Sequence, residues 1–194
     1  SGAASARSLP SEARHRSAAM LTAVALLALA VIAALLLYAA RRPDRFRVTR
    51  TAVIKAPAAR IFSLINDLQS FNAWSPYLRR DPRAQGHYSG PASGVGAAYA
   101  WQGRKIGSGT MTITPSHAPV KLVMTLDFVK PFKARNTAEF NLQAEGDNLT
   151  IVSWALHGPA PYLSRLMATV IDMDRMIGKD FEQRLANLKT AVEK

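Results

Sequence analysis

The sequence predicts an α+β fold in which a curved antiparallel β-sheet wraps around a long C-terminal α-helix, preceded by one transmembrane helix. Three patterns lead to this prediction: a long apolar run near the N-terminus, a central region of short alternating segments, and a helical apolar period at the end. The length of 194 residues fits one domain of ordinary size with an appendage.

Composition narrows the function classes. With 48% hydrophobic residues the chain can form a packed core, and the absence of cysteine excludes disulfide scaffolds, thiolate nucleophiles and sulfur-ligated zinc sites. The net charge is +12, but the basic residues of 46–194 are spread along the chain and suggest a mostly solvated face. Nucleic-acid binding is therefore not expected.

The first element is an apolar helix over residues 18–40, whose only polar side chains are Thr22 and Tyr38. At ~1.5 Å per residue this run can cross a hydrocarbon core of ~30 Å. A cleaved signal peptide is the alternative, since Arg14 and Arg16 precede the run, but its apolar core would far exceed the usual ~7–15 residues. Residues 1–17 are expected to form a disordered tail.

Arginines flank the predicted span unequally. Residues 41–45 form a basic linker, and Arg47 and Arg50 follow it, whereas the N-terminal side carries fewer basic residues. The positive-inside rule places residues 46–194 in the cytoplasm, and a cleaved or inverted anchor would place them in the periplasm. The true start site and the oligomeric state are left open.

The folded region begins with a strand over 46–54, where apolar residues alternate. A helix over 56–67 follows, with Pro57 in its tolerant first turn, and a shorter helix over 70–74 ends before Pro76. Between residues 79 and 158, frequent glycines and prolines separate five alternating segments, which is typical of an antiparallel sheet. One face of that sheet is apolar and aromatic.

The last element is a long amphipathic helix that starts near Asp172, or as early as Leu163, and ends at Glu193. Its apolar stripe needs a partner, and the inner face of the sheet is the large apolar surface available. A curved sheet around such a helix leaves a hollow, which is the usual form of a small-molecule site.

Short stretches spread over nearly all of 46–194 carry a resemblance to a known family. They are IKAP at 54–57, IF at 61–62, WSP at 74–76, DP at 81–82, GPASGVG at 90–96, YAW at 99–101, GSG at 107–109, DFVKPF at 127–132, TIVSW at 150–154 and MDRMIGKDFE at 173–182. In this order they resemble the START/birch-pollen-allergen-like helix-grip superfamily, and within it the bacterial SRPBCC proteins of the polyketide cyclase/dehydrase and lipid transport type. The resemblance implies a helix-grip domain that binds a lipid or another hydrophobic molecule, tethered to the bacterial inner membrane.

Catalytic and metal motifs are not found in the sequence. It has no G-x-S-x-G, no H-E-x-x-H and no phosphate-binding loop followed by a helix, and its four histidines fall in the tail or in presumed turns. We therefore expect no catalytic residue, no metal and no cofactor. Asp174 is a candidate acid or base. It would either form a salt bridge or accept a backbone hydrogen bond near Arg135 or Lys133, or orient a ligand from the interior, where its pKa would be raised.

The predicted function is a membrane-anchored binding module for a lipid or other hydrophobic small molecule held between the sheet and the C-terminal helix. The alternatives are a cyclase- or dehydratase-like enzyme that uses the same pocket, with Asp174 or a tyrosine as acid or base, and a module that grips a protein partner. Core packing alone also explains the aromatic candidates. The predicted ligand-binding residues are Trp74, Tyr99, Trp101, Met111, Met124, Leu126, Phe128, Trp154, Val170, Met173, Asp174 and Ile177.

Overall fold

The computed structural model describes residues 11–75 and 80–193. It confirms the α+β helix-grip fold, with a seven-stranded antiparallel sheet and a long C-terminal helix. The elements are α1 (Ser11–Arg41), β1 (Arg45–Ile54), α2 (Ala58–Asn66), α3 (Leu68–Trp74), β2 (Gln85–Ser89), β3 (Ala98–Gln102), β4 (Ser108–His117), β5 (Lys121–Lys130), β6 (Ala134–Ala144), β7 (Thr150–Pro159), α4 (Tyr162–Met167) and α5 (Met173–Val192).

The sheet has the strand order β1-β7-β6-β5-β4-β3-β2. From β2 to β7 each strand pairs with the next one in the chain. The first strand is different, because β1 pairs with β7 and brings Arg45 opposite Pro159 and Ile54 opposite Thr150. The sheet edges are therefore β1 and β2.

Two elements differ from the sequence prediction. Strand β2 was not predicted, since its residues are all exposed and show no apolar alternation. The expectation that the C-terminal helix starts as early as Leu163 is also wrong, because α4 ends at Met167 and α5 begins after Asp172. The Asp172 side chain accepts a hydrogen bond from the Arg175 backbone N–H at 2.9 Å. This N-cap fixes the helix start that was predicted near Asp172.

The antiparallel register gives the sheet two ends. The end next to α1, here called the proximal end, contains segments 41–45, 80–84, 103–107, 130–133 and 160–172. The opposite end, called the distal end, contains segments 55–57, 90–97, 118–120 and 145–149. Helix α5 runs from the proximal toward the distal end, where the Lys55 backbone N–H donates to Glu193.

The core lies between the inner face of the sheet and helices α2, α3 and α5. Rings dominate its centre: Trp154 stacks on Phe181, with centroids 4.1 Å apart, and on Phe140, with centroids 4.8 Å apart. Phe71 and Trp74 of α3 meet this group edge-on. Edge-to-face and stacked rings of this kind add stabilisation beyond simple area burial.

Helix α1 begins at Ser11, within the segment predicted as a disordered tail, and residues 1–10 of that tail lie outside the described residues. The helical segment Ala19–Arg41 is long and apolar enough to cross a membrane. Most of their side chains are exposed, whereas Ala39 is fully buried against the rest of the chain. The C-terminal turns of α1 contact α4.

Candidate functional site

The candidate site is the concave face of the sheet where it meets α5. The distal half of this space is filled by the rings of the core and covered by α2 and α3. Toward the proximal end several inner-face side chains are only half-buried, although Val48 and Gly158 remain buried. We call this region the proximal groove; its half-buried residues are Leu126, Phe128, Asn136, Leu156 and Ile177, and Gly158 lies beside them.

Strand pairing creates the proximal groove. Leu126 lies opposite Asn136 on β5 and β6, and Phe128 lies opposite Ala134, so the apolar alternation of β5 continues to its end. The neighbouring strands contribute small residues here: Ala134 on β6 and Gly158 on β7 have little side-chain volume. Few aromatic rings therefore fill this end, in contrast to the centre of the core.

The predicted ligand-binding residues divide into three groups by burial. Trp74, Tyr99, Trp101, Met111, Met124 and Trp154 are buried, whereas Leu126, Phe128, Met173 and Ile177 are half-buried. Val170 and Asp174 are exposed, and Val170 has 83% of its surface accessible. Val170 lies in the segment between α4 and α5, so it does not lie on the predicted apolar stripe of the helix.

The buried aromatic residues already have packing partners within the chain. Trp154 lies between Phe140 and Phe181, and the Trp74 Nε1–H donates to the Leu64 carbonyl at 3.1 Å. These contacts correspond to the core-packing interpretation of Trp74 and Trp154. Trp101 joins the centre to the proximal groove, since its ring meets that of Phe128 edge-on at 5.6 Å.

Asp174 is part of an ion-pair group on the side of α5 that faces β1. Its Oδ2 accepts from Arg50 Nη2 at 2.9 Å, and Glu182 accepts from Arg50 Nε at 2.8 Å. The Arg50 guanidinium holds the pKa of Asp174 below its ordinary value. Asp174 therefore forms a salt bridge, but with Arg50 in place of the expected Arg135 or Lys133, since Arg135 pairs with Asp127. The alternative of an interior carboxylate with a raised pKa is wrong, because Asp174 is exposed and its pKa is lowered.

Arg50 is a site residue that was not predicted from the sequence. It lies on β1 between Val48 and Ala52, on the inner side of the alternation, and crosses beneath α5 at Gly178. A Cβ at Gly178 would overlap the guanidinium, so the glycine allows the close approach of β1 and α5. The sequence signal that could have identified Arg50 is a charged residue at an inward position of an alternating strand.

Several buried polar atoms make no hydrogen bond within the described part of the chain. They include the Tyr99 hydroxyl, Trp154 Nε1 and Asn136 Oδ1. Burial raises the pKa of the Tyr99 hydroxyl. Asn136 Oδ1 is the acceptor that belongs to the proximal groove, where it faces the Cα of Gly158. A buried acceptor of this kind gains a full hydrogen bond when a donor reaches it.

The described part of the chain also has cavities on its surface. One, of about 350 Å³, lies over β2, β3 and β4, and its lining includes Gln85, His87 and the predicted ligand-binding residue Trp101. Another, of about 230 Å³, lies between α3 and the β2–β3 segment. Neither is lined by α5. Among the residues described, no group of three or more His, Asp or Glu side chains is placed to hold a metal ion.

A family comparison identifies the domain. The profile of the family described as "Polyketide cyclase / dehydrase and lipid transport" matches residues 45–193. The chain belongs to this family. The match spans the whole sheet and α5, so the proximal groove lies entirely inside the family's domain.

Solved structures of this shape share little sequence with the chain. Protein CV1439 from Chromobacterium violaceum is 16% identical with a TM-score of 0.55, covering 79% of this chain and 99% of its own. Protein TTHA0849 from Thermus thermophilus is 18% identical with a TM-score of 0.54, covering 76% and 97%. These similarities support the fold alone.

A third solved structure, DynU16 from the dynemicin biosynthetic locus, is 14% identical with a TM-score of 0.53. The alignment covers 79% of this chain and 48% of DynU16. A comparison of the sequence with curated proteins gives no significant match.

Proposed function

We propose that this protein is a membrane-anchored binding module that holds a lipid or another hydrophobic small molecule in the proximal groove. The observation that carries the proposal is the contrast along the concave face: rings fill its distal half, while its proximal half keeps half-buried apolar side chains. Membership of a family described by lipid transport supports it.

The groove offers a hydrophobic ligand two kinds of interaction. Covering the remaining surface of Leu126, Phe128 and Leu156 would contribute about 25 cal/mol per Å² of apolar area. Asn136 Oδ1 is buried against Gly158, so the amide must turn into the groove before it can accept a hydrogen bond from a ligand hydroxyl or amide. Such a bond would favour a molecule with one polar group over a pure hydrocarbon.

An enzymatic role for Asp174 has less support. A general acid needs a pKa near the working pH, and the ion pair with Arg50 moves the pKa of Asp174 in the opposite direction. Its side chain is also 62% exposed, outside the groove. The binding proposal therefore does not include a catalytic residue.

We also propose that α1 spans the inner membrane of a bacterium, with the folded domain on the cytoplasmic side. The length of its apolar stretch and the arginines that follow it support this placement. The chain has no cysteine, so an Asp147→Cys variant carries a single thiol in the distal β6–β7 turn. We expect a membrane-impermeant maleimide to label it in lysed cells and not in spheroplasts; labelling in spheroplasts would place the domain in the periplasm.

The ligand proposal is tested by native mass spectrometry of the full chain extracted gently from its own membrane. We expect a bound lipid-like molecule in the wild type and its loss in Leu156→Trp, which fills the groove, and in Phe128→Asp, which makes it polar. Val120→Asp, an exposed apolar residue in the distal β4–β5 turn, is the matched control and should retain the ligand. Circular dichroism checks that each variant is folded.

Two results would contradict the ligand proposal. One is a wild-type protein that carries no ligand and also fails to bind added fatty acids and phospholipids. The other is equal retention of the ligand by Leu156→Trp, Phe128→Asp and Val120→Asp, which would place the bound molecule outside the proximal groove.

A further inference from the structure

Helix α4 is attached to the end of α1. The Tyr162 hydroxyl donates to the Leu36 carbonyl at 3.0 Å, and Arg165 Nη1 donates to the carbonyls of Ala40 and Arg42 at 3.1 Å each. In return, Arg42 Nη1 donates to the Ala168 carbonyl at 2.6 Å. These bonds fix α4 beside the last turns of the apolar helix.

The outer side of this attachment is apolar. Helix α4 contains no buried residue, and besides Tyr162 the α4 region exposes four large hydrophobic side chains: Leu163, Met167, Val170 and Ile171. Exposed apolar side chains that cluster in this way mark a surface that another apolar phase covers. Val170, with 83% of its surface accessible, is the most exposed of the four.

A second apolar projection lies at the same end of the sheet. The β5–β6 turn exposes Phe132, with 68% of its surface accessible, and Val129 just before it. Lys130 and Lys133 flank Phe132. The turn therefore has the composition of a membrane-surface segment, in which aromatic and apolar side chains alternate with lysine.

Charge is unequal between the two ends of the domain. The distal segments contain Lys55 together with Glu145 and Asp147. The proximal segments contain three acidic residues, Asp44, Asp81 and Asp172, and ten basic ones. The basic residues are Arg41, Arg42, Arg45, Arg80, Arg83, Arg104, Lys105, Lys130, Lys133 and Arg165.

We infer that the proximal end of the domain docks on the bilayer that α1 spans, with the α4 region and the β5–β6 turn inserted at the level of the lipid headgroups. The inference rests on the proposed span and not on ligand binding. The attachment of α4 to α1 indicates that a bilayer, and not another partner, covers this apolar surface. The Tyr162 hydroxyl donates to a carbonyl inside the apolar stretch of α1, so a bilayer around α1 also surrounds α4. The excess of basic residues matches anionic headgroups.

A second copy of the chain fits this surface less well. Two proximal ends that faced each other would bring two sets of like charges together, which opposes association. Anionic lipid instead neutralises the same residues. Docking would also bring the proximal groove, which lies toward this end of the sheet, near the bilayer surface.

The test uses the full chain in nanodiscs of phosphatidylglycerol and phosphatidylcholine, with one introduced cysteine per variant. Phe132→Cys and Val170→Cys carry an environment-sensitive fluorophore, and Asp147→Cys at the distal end is the matched control. We expect blue-shifted emission at positions 132 and 170, quenched by lipids with a nitroxide near the headgroup. The label at 147 should show neither effect.

A label at Val31→Cys reports separately on the span. Quenching at 31 without quenching at 132 and 170 would overturn the docking and leave the span intact. If the label at 31 also stayed in water, both the span and the docking would be overturned. A blue shift at 132 and 170 that persists in detergent and disappears on dilution would overturn the bilayer assignment in favour of a second copy.

Charge reversal gives a second measurement. Each basic residue near an anionic surface contributes about fivefold to association, so Lys130→Glu with Lys133→Glu should strongly reduce the quenching at 170 in anionic nanodiscs. Lys55→Glu with Arg60→Glu, two exposed residues near the distal end, should not change it. Equal quenching at position 170 with the original charges and in both charge-reversal variants would overturn the electrostatic part of the proposal.

Discussion

Arg50 links the first half of α5 to the edge strand β1. Its guanidinium contacts Asp174 and Glu182, which lie about two turns apart on α5, and passes under Gly178 between them. The arginine side chain is 23% exposed, so its ion pairs are only partly screened by water. The pKa of Arg50 is raised chiefly by the hydrogen bond to Asp174, so it stays charged at any physiological pH.

Replacing Gly178 tests this arrangement. Alanine is favoured over glycine inside a helix by about 1 kcal/mol, but at position 178 its Cβ would displace the Arg50 guanidinium. We expect Gly178→Ala to stabilise the protein by about that amount in an Arg50→Ala background and to bring little or no gain in the wild type. Chemical denaturation of all four proteins measures the coupling, and equal effects in the two backgrounds would show that Arg50 does not occupy this space.

Glu139 provides a pH-dependent contribution to stability on the outer face of the sheet. Lys121 Nζ lies 2.9 Å from its Oε1 and Asn141 Nδ2 lies 3.0 Å away, and these bonds lower the pKa of Glu139 to about 2. Because the folded-state pKa lies below the unfolded value of 4.5, the contribution is complete above pH 4.5 and is lost as pH falls toward about 2.

We therefore expect the difference in unfolding free energy between wild type and Glu139→Gln to be constant near neutral pH. It should shrink as the pH falls from about 4.5 to about 2. Urea denaturation at several pH values provides the measurement. Asn148→Gln, an exposed amide change in a distal turn, is the control, and a pH-independent difference for Glu139→Gln would contradict the assignment.

Residue-level prediction from sequence succeeded where a periodic pattern existed. The alternation of β3 and β4 correctly predicted that Tyr99, Trp101 and Met111 face inward, since period-two alternation fixes the face. The alternation of β1 places Arg50 on the inward face with Val48 and Ala52, but its partners could not be predicted from it. Asp174 and Glu182, which accept its hydrogen bonds, lie more than a hundred residues away in the chain.

At the scale of elements, α5 stabilises the domain mainly through its distal half. Phe181, Leu185, Leu188 and Val192 are buried, whereas Met173 and Ile177 in the first turns are half-buried. The helical apolar period predicted this stripe correctly, but it did not predict the break before α5. That break depends on the Asp172 cap and on α4 being held by α1.

Phe181 is the element-scale test. Its ring stacks on Trp154 at 4.1 Å, and its removal would leave a cavity in the centre of the core. We expect Phe181→Ala to cost about 3–5 kcal/mol in unfolding free energy. Met176→Ala, on the exposed side of the same helix, should change it by about 0.5 kcal/mol or less. Comparable losses would mean that α5 does not pack through Phe181.

At the scale of the whole molecule, the two ends of the sheet differ in charge and in apolar exposure. Along the chain the positive charge looks diffuse, because no long basic run occurs. Folding concentrates it, since the antiparallel order brings five separate segments to the proximal end. That concentration depends on the strand register, which local sequence patterns do not specify.

The bonds between α1 and α4 predict a fixed orientation of the domain relative to α1. We expect spin labels at Leu29→Cys and Asp147→Cys, in nanodiscs, to give one narrow distance distribution. Tyr162→Phe with Arg165→Ala removes three of the bonds and should broaden it. Ser164→Ala, an exposed change on α4, is the control, and an unchanged width in the double variant would show that other contacts set the orientation.

The pairing of the first strand with the last has a consequence for synthesis. Strand β1 leaves the ribosome directly after α1, but its partner β7 ends only at Pro159. Contacts between segments so far apart form slowly, because a long loop must close first. If α1 is already in the bilayer, β1 waits at the membrane surface with an unpaired edge while about a hundred residues are added. A nascent chain arrested before residue 150 is therefore expected to be the form of this protein most dependent on chaperones, because the sheet closes only after β7 has left the ribosome.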